Sequence, residues 1–327
     1  MYFVSSQIIR SLTSYLASQG LNKEHLLNNI TQGGQQLNNS RYKYPLADYE
    51  QLMSIGAKHL NRNTVGLEFG QALNAQNWGL LGHIALVSDS LLSALQHALK
   101  LHTLVRNIGT ISLNHHQQHS SLEWHPKTPV THFMADELFS SWLAFAQQCC
   151  EWQAPLMLSQ IKLMRPQPPI NEVKQYQSVF NCPIEFNSTT NSMIFDSQLL
   201  HCPLKGANNE LETLLAAQAI NYNHEAQYIS QLKALITQHL PERLSVQQAA
   251  QALALSTRSL QRYLKQQHTS YSKIIDEICK QQALILLKQG LSSLNIATAL
   301  GFSEQSAFQR AFKRWYCITP KKYLTEK

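Results

Sequence analysis

The last third of this chain repeats itself, and this repeat restricts the fold more than any other feature of the sequence. The segment AQALALS, which begins at Ala250, is matched by ATALGFS, which begins at Ala297. The segment LQRYLK, which begins at Leu260, is matched by FQRAFK, which begins at Phe308, so the spacing grows from 47 to 48 residues. Each copy has the pattern of a short helix, a tight turn and a second helix. The sequence therefore predicts two helix-turn-helix units.

The region of the repeat also has the properties of an all-helical domain. It has no proline and only two glycines, and its apolar residues recur at helical spacing, which predicts five to seven helices. Gly301 is expected in a left-handed turn, and Ser256 and Ser303 are expected to cap the second helices. A linking helix from about Ser272 to Lys288 would span roughly 25 Å, which would allow the second helices to lie about 34 Å apart. That distance is one turn of DNA.

Charge is distributed unevenly along the chain. The net charge is +7, but the residues from 230 onward include 14 Lys and Arg and only 5 Asp and Glu, a net of +9. The first 229 residues therefore have a net charge of −2. This pattern is expected when one domain contacts a polyanion and the other does not. A basic surface that only maintains solubility would have the same charge, so charge alone does not decide between them.

The second helix of each copy presents a polar face. Arg and Gln can hydrogen-bond base edges in the major groove, whereas Ser, Thr and Lys more often contact phosphates. A single Arg on such a face is ordinarily just solvated, but a duplicated face in a basic domain favours DNA. The predicted DNA-binding residues are Thr257, Arg258, Gln261, Arg262 and Lys265 in the first copy and Gln305, Ser306, Gln309, Arg310, Lys313 and Arg314 in the second.

The first two hundred residues mix helical and strand patterns. The predicted fold is an α+β N-terminal domain followed by an all-α C-terminal domain with two helix-turn-helix units joined by a linking helix. The apolar run from Trp78 to Leu95 is interpreted as core. Helices are predicted over residues 7–19, 45–60, 91–105 and 130–150, and strands over 111–113, 121–124, 156–164 and 193–195.

The sequence lacks the motifs of common enzymes and metal sites. It has no G-x-S-x-G, no phosphate-binding glycine loop, no H-E-x-x-H and no C-x-x-C. His115, His116 and His119 lie in a polar run without a nearby carboxylate or cysteine, which favours a solvated turn over a metal site. Cys149 and Cys150 have no basic neighbour to activate a thiol, so core or surface packing is favoured over redox sensing. The prediction is no enzyme activity, no metal and no cofactor.

The sequence also bears on the compartment of the protein. The N-terminal segment MYFVSSQIIRSL lacks a basic start followed by an apolar core, and no stretch has eighteen consecutive apolar residues. We therefore expect a cytoplasmic protein with reduced cysteines and no membrane partner.

Residues 244–324 resemble the DNA-binding domain of the AraC/XylS family. The matching stretches are LSVQQAAQALALSTRSLQRYLKQQ and LNIATALGFSEQSAFQRAFKRWYCITPKKYL. The second contains the family signature A-x-x-x-G-F-S-x-x-S-x-F-x-R-x-F-K-R, followed by a proline. The resemblance implies that the first recognition helix contributes Arg258, Gln261 and Arg262 to DNA binding and that the second contributes Gln305, Ser306, Gln309 and Arg310.

The chain departs from the family pattern at three positions. The family usually has Arg in the linking helix where Cys279 stands. It usually has Gly where His268 and Cys317 stand. Loss of the helix Arg is expected to remove one buried or backbone contact, while both recognition faces are intact.

The N-terminal two hundred residues resemble the effector domain of the AraC subgroup found in ornithine-utilisation regulators. The matches are YP at 44–45, GLEFG at 66–70, WGLLG at 78–82 and CPIEF at 182–186. The resemblance implies a domain that binds a small effector or self-associates, and it does not identify the ligand. The predicted domains are residues 1–205 for effector sensing or self-association, 206–229 for a linker and connecting helix, and 230–327 for the double helix-turn-helix domain.

Together these features predict a sequence-specific transcription regulator, an activator, controlled by a small effector. Its expected partners are double-stranded promoter DNA, RNA polymerase and a second copy of the chain. Two other classes stay open. A DNA-repair methyl acceptor with the same helical domain would need a P-C-H-R-like segment, whereas Cys182 and Pro183 have the reverse order and no following His-Arg. A scaffold with a degenerate pair of units is disfavoured by the intact Arg and Gln on both faces.

Overall fold

The computed structural model describes residues 2–116, 118–151, 157–266 and 269–325. The chain divides into two compact units, Met1–Asn223 and His224–Lys327. In the part of the chain that is described, no helix is both long and apolar enough to cross a membrane.

The N-terminal unit is built around a five-stranded sheet. Its strand order is β3-β4-β7-β5-β6, and every neighbouring pair is antiparallel except the parallel pair β5 and β6. A separate antiparallel pair is formed by β1 and β2. The strands are β1 (Phe3–Ser5), β2 (Lys43–Pro45), β3 (Gly109–His115), β4 (His119–Pro126), β5 (Leu158–Lys162), β6 (Ile184–Glu185) and β7 (Asn191–Asp196).

Helices make up most of the rest of this unit. Four 3-10 helices cover Thr31–Gly34, Ala75–Trp78, His102–Leu104 and Ser197–His201. The α-helices of the unit are α1 (Ser6–Ser18), α2 (Lys23–Asn28), α3 (Leu46–Leu60), α4 (Val65–Ala72), α5 (Leu80–Val87), α6 (Leu91–Leu101), α7 (His132–Cys149) and α8 (Ile170–Phe180), and α9 (Asn209–Gln238) contains the boundary between the units.

Helix α7 is the central helix of the N-terminal unit, since 13 of its 18 residues are buried. Two glycines of the GLEFG segment allow α4 to approach it closely. A Cβ atom at Gly66 would lie 2.5 Å from the carbonyl oxygen of Phe133, and one at Gly70 would lie 2.4 Å from that of Glu137. Any side chain at either position would separate the two helices.

Helix α7 also has two buried carboxylates, each of which is paired with an arginine. Arg106 donates to both oxygens of Glu137 at 2.6 and 3.0 Å, and the Tyr49 hydroxyl donates to the same carboxylate at 3.1 Å. Arg165 donates to Asp136 at 3.0 Å. Because removing one member would leave a buried charge without a partner, these pairs fix the helix against its surroundings.

The predicted fold class is confirmed. Each helix and strand predicted for the N-terminal unit is present, with ends that differ by a few residues, and residues 152–156 of the segment before β5 lie outside the described residues. The predicted helix over 91–105 ends at Leu101 and continues as a 3-10 helix. The short elements β1, β2, β6, α2, α4, α5 and α8 were not predicted.

The C-terminal unit is all helical. Its two small cores are grouped around Leu260 and Phe308, and α12 contributes to both, with Ile274 in the first and Leu287 in the second. The helices after α9 are α10 (Val246–Ala252), α11 (Thr257–Gln266), α12 (Tyr271–Lys288), α13 (Ser293–Ala299), α14 (Gln305–Tyr316) and α15 (Pro320–Thr325).

Candidate nucleic-acid interface

Helices α10 and α11 form the first helix-turn-helix unit. Ser245 caps α10, because its hydroxyl accepts from the Gln248 amide at 3.2 Å while the Gln248 side chain accepts from the Ser245 amide at 2.8 Å. Ser256 caps α11 as predicted, since its hydroxyl accepts from the Ser259 amide at 3.0 Å. The small residue Ala250 is buried where the two helices pack.

Helix α11 has one buried face and one polar face. Leu260 and Leu264 are buried in the unit's core. The Arg262 guanidinium lies 5.3 Å from the centre of the Tyr263 ring. The opposite face is formed by the half-buried Thr257 and the exposed Arg258, Gln261, Arg262 and Lys265.

Helices α13 and α14 form the second unit, and its turn requires glycine. Gly301 has φ +68°, in the left-handed region that was predicted, and a Cβ atom there would lie 2.1 Å from the carbonyl oxygen of Pro241. The equivalent residue of the first unit is Ala254, which has φ +55°. The first turn therefore holds an alanine in a conformation that favours glycine.

The prediction that Ser303 caps the second recognition helix is wrong. Helix α14 begins at Gln305, and its N-cap residue is Glu304, whose side chain makes no capping hydrogen bond. The Ser306 hydroxyl donates to Glu304 at 2.8 Å. The extra residue in the second copy moves the start of the helix one position along the chain, so Ser303 lies too early to cap it.

Helix α14 repeats the arrangement of α11. Phe308 and Phe312 are fully buried in the second core. Arg314 is exposed, and its guanidinium forms an ion pair with Asp276 of α12. The same carboxylate also accepts a hydrogen bond from Trp315 Nε1 at 2.9 Å. The exposed polar face is formed by Gln305, Ser306, Gln309, Arg310, Lys313 and Arg314.

The linking helix α12 agrees with the sequence prediction, and its 18 residues span about 27 Å. Cys279 is buried within it, and burial raises the pKa of its thiol. The Arg243 side chain comes from the loop before α10 and lies beside Cys279. Its Nη2 atom donates to the Leu300 carbonyl at 3.2 Å and lies 3.9 Å from Cys279 Sγ, while its guanidinium lies 4.5 Å from the centre of the Phe302 ring.

Of the two other departures from the family pattern, one lies in a described turn. Cys317 is the C-cap residue of α14 and has φ +61°, so a non-glycine residue occupies a left-handed position there. His268 lies outside the described residues.

The other candidate groups from the sequence are the histidines at 115, 116 and 119 and the cysteines at 149 and 150. His115 Nδ1 lies 2.9 Å from the Ser120 hydroxyl in the hairpin of β3 and β4. The described ranges contain no group of three or more His, Cys, Asp or Glu residues placed to hold a metal ion. Burial raises the pKa of Cys149 and raises that of Cys150 to about 12, which keeps both thiols protonated at neutral pH.

Comparisons with known proteins agree with this arrangement. Residues 20–204 match the arabinose-binding domain of AraC transcription regulators, and residues 249–326 match a helix-turn-helix domain. The first match covers more than half of the chain. The chain therefore belongs to the AraC family of transcription regulators, with a helix-turn-helix DNA-binding domain and an N-terminal ligand-binding domain.

Individual relatives cover the chain to different extents. The ornithine utilization regulator of Pseudomonas aeruginosa is 26% identical over an alignment of 325 positions, which covers 96% of this chain and 94% of that protein. The transcriptional regulator VirS of Mycobacterium tuberculosis is 30% identical over an alignment of 157 positions, which covers 45% of each chain. The crystal structure of the transcriptional regulator CdpR from P. aeruginosa is similar over 96% of both chains, with 21% identity and a TM-score of 0.49.

Proposed function

We propose that this chain is a sequence-specific transcription regulator that inserts α11 and α14 into the major groove of promoter DNA. The observation that carries the proposal is the duplicated exposed face, which combines Arg and Gln on two equivalent helices whose opposite sides are buried. The net charge of +9 from residue 230 onward supplies the attraction to phosphates.

The exposed residues divide by chemistry into two roles. Arg258, Gln261 and Arg262 in α11 and Gln305, Gln309 and Arg310 in α14 have the donors that read base edges. Thr257, Lys265, Ser306 and Lys313 have hydroxyl or ammonium groups suited to phosphates. Arg314 is already paired with Asp276, so we assign it to holding α14 against α12 and to a phosphate contact.

The test is a gel-shift titration of Arg310→Ala on promoter DNA that binds the unmodified protein. Loss of one base-reading Arg is expected to weaken specific binding by about ten- to hundredfold while the melting temperature is unchanged. Arg10→Ala is the matched control, since Arg10 is an exposed Arg of the N-terminal unit. Unchanged affinity of Arg310→Ala would contradict the assignment of α14.

We further propose that the protein is a cytoplasmic activator that recruits RNA polymerase when an effector occupies its N-terminal domain. Family membership and the resemblance to the ornithine-utilisation subgroup support this proposal. A promoter-reporter assay tests whether the protein activates or represses transcription. Deletion of an activator is expected to lower expression of the reporter. A rise in expression on deletion would make it a repressor.

A homodimer is part of the same proposal. Leu211 and Leu214 of α9 are 40% and 62% exposed, three residues apart on one helix face, where a second copy could cover them. Sedimentation of the full chain and of Leu214→Glu tests this, with Leu294→Glu as the control, because Leu294 is an exposed leucine of α13. A monomer at all concentrations would contradict the proposal.

The methyl-acceptor alternative is disfavoured by the chemistry of Cys182. Burial raises the pKa of this thiol to about 11, so little nucleophilic thiolate is present at neutral pH. A scaffold without sequence preference is distinguished by competition, since its binding to promoter DNA would be displaced equally by unrelated DNA.

A further inference from the structure

The two recognition helices differ in the residue that follows their shared Arg. The segments LQRYLK in α11 and FQRAFK in α14 have Gln, Arg and Lys at the same positions, but Tyr263 in the first is matched by Ala311 in the second. Tyr263 is half-buried, whereas Ala311 is buried. An aromatic ring therefore follows Arg262 in α11, and a methyl group follows Arg310 in α14.

The ring of Tyr263 is supported by the helix that precedes the first unit. Tyr228 of α9 stacks on it, with the ring centres 5.4 Å apart and an angle of 7° between the ring planes. An offset parallel pair at this distance is a favourable aromatic geometry. Leu232, which lies four residues further along the same face of α9, is fully buried in the core that contains Leu260. The packing of α9 therefore places Tyr228, and the stack holds the ring of Tyr263.

The second unit lacks this support. Among the described residues, the core around Phe308 contains side chains of α12, α13 and α14 and none of α9. Because Ala311 has no ring, α14 also offers no surface at this position on which an aromatic residue could stack. The support of a recognition helix by α9 is therefore specific to α11.

The supported ring lies beside the guanidinium of Arg262. The two are 5.3 Å apart, within the range of a cation–π contact. A guanidinium can lie on an aromatic ring while the N–H donors in its own plane hydrogen-bond a base. An Arg side chain also has many rotamers, and ordering them on DNA opposes binding. A ring that already holds the guanidinium lowers this cost.

We propose that Tyr263 and Tyr228 are positioning residues for Arg262. The stacked pair orients the guanidinium for base reading, so the Arg of α11 is preorganised through α9, whereas Arg310 of α14 is not. The inference rests on the proposed function, because it requires Arg262 to contact DNA. It adds Tyr228, which lies outside both helix-turn-helix units, to the residues that determine sequence specificity.

The first test is a gel-shift titration of the full chain on promoter DNA that binds the unmodified protein and on unrelated DNA. Tyr228→Ala is expected to weaken promoter binding by about three- to tenfold, which is the range that one aromatic pair supplies. Binding to unrelated DNA should be unchanged, because the charge of Arg262 remains. Unchanged promoter binding, or equal weakening on both DNAs, would overturn the proposal.

Two further substitutions at the same position show whether the ring is responsible. Tyr228→Phe keeps the stack and should bind promoter DNA as the unmodified protein does. Tyr228→Leu keeps an apolar side chain against the first unit but removes the ring, so it should weaken promoter binding as Tyr228→Ala does. Wild-type affinity of Tyr228→Leu would contradict a role for the stack, even if Tyr228→Ala fails to fold.

A double-mutant cycle separates positioning from a general effect on structure. If Tyr228 acts through Arg262, adding Tyr228→Ala to Arg262→Ala should cause no further loss of promoter binding. Arg310→Ala is the matched control in α14, and there Tyr228→Ala should still weaken binding by about three- to tenfold. The same factor in the Arg262→Ala and Arg310→Ala backgrounds would mean that the stack only stabilises the fold, and would overturn the proposal.

The same titrations separate this inference from the proposed function. If the unmodified protein does not distinguish promoter DNA from unrelated DNA, the proposed function fails. If it does, and Arg262→Ala weakens promoter binding but Tyr228→Ala and Tyr228→Leu do not, the positioning role alone fails.

Discussion

At the scale of single residues, Ala254 and Cys317 of the C-terminal unit are non-glycine residues in left-handed turns, and both positions store backbone strain. Ala254 has φ +55°, whereas Gly301 occupies the equivalent turn. Left-handed backbone costs a non-glycine residue about 1–2 kcal/mol. Substitution by glycine removes this cost, but part of the gain in stability is lost because glycine has greater freedom in the unfolded chain. We expect Ala254→Gly to raise the free energy of unfolding by about 0.5 kcal/mol, measured by urea denaturation.

The control for this substitution lies two residues earlier. Ala252 is the last residue of α10 and is exposed, so Ala252→Gly is expected to destabilise the chain by up to about 1 kcal/mol. Cys317→Gly should behave as Ala254→Gly does, because Cys317 has φ +61°. If all three variants lose stability alike, backbone strain at the two turns is excluded.

Arg243 is a second residue whose role is local and testable. Its contacts with the Leu300 carbonyl and the Phe302 ring join the loop before α10 to the second unit. Arg243→Ala is expected to lower the free energy of unfolding by about 1 kcal/mol, since the guanidinium is only partly buried. Because the family usually has Arg where Cys279 stands, adding Cys279→Arg to this variant should restore most of the loss in urea denaturation. A further loss of stability in the double variant would contradict the hypothesis that Arg243 makes the contact of the family's helix Arg.

At the scale of elements, the two recognition helices begin differently, and this difference can be measured. Ser256 caps α11 with a 3.0 Å hydrogen bond, whereas Ser303 precedes the N-cap of α14. Ser256→Ala should therefore cost about 1 kcal/mol of stability, and Ser303→Ala should stay within about 0.5 kcal/mol of the unmodified protein. Equal losses in thermal melting would mean that Ser303 also caps a helix.

Some helices of the C-terminal unit could be predicted from the sequence, and some contacts between them could not. Helices α11, α12 and α14 were predicted because their apolar residues repeat along a single segment, and each buries that stripe against its neighbours. The position of Arg243 was not predictable, because its partners Leu300 and Phe302 lie almost sixty residues away. An apolar cavity between the sheet and helices α5, α6 and α7 was missed for a different reason, since the residues that line it have the composition of core residues.

At the scale of the whole molecule, the polyanion-binding charge belongs to one of the two units. The first 229 residues have a net charge of −2, and the exposed polar faces of α11 and α14 both lie in His224–Lys327. DNA binding that neutralises phosphates releases counterions. A plot of the logarithm of affinity against the logarithm of salt concentration therefore has a slope of about −0.9 for each phosphate contacted. The salt dependence of the full chain should therefore be reproduced by a fragment that contains residues 209–327, which begins at the start of α9. We expect the two slopes in gel-shift titrations over a salt series to agree within about one unit. A fragment that melts cooperatively but has a much shallower slope would show that the N-terminal unit also contacts DNA.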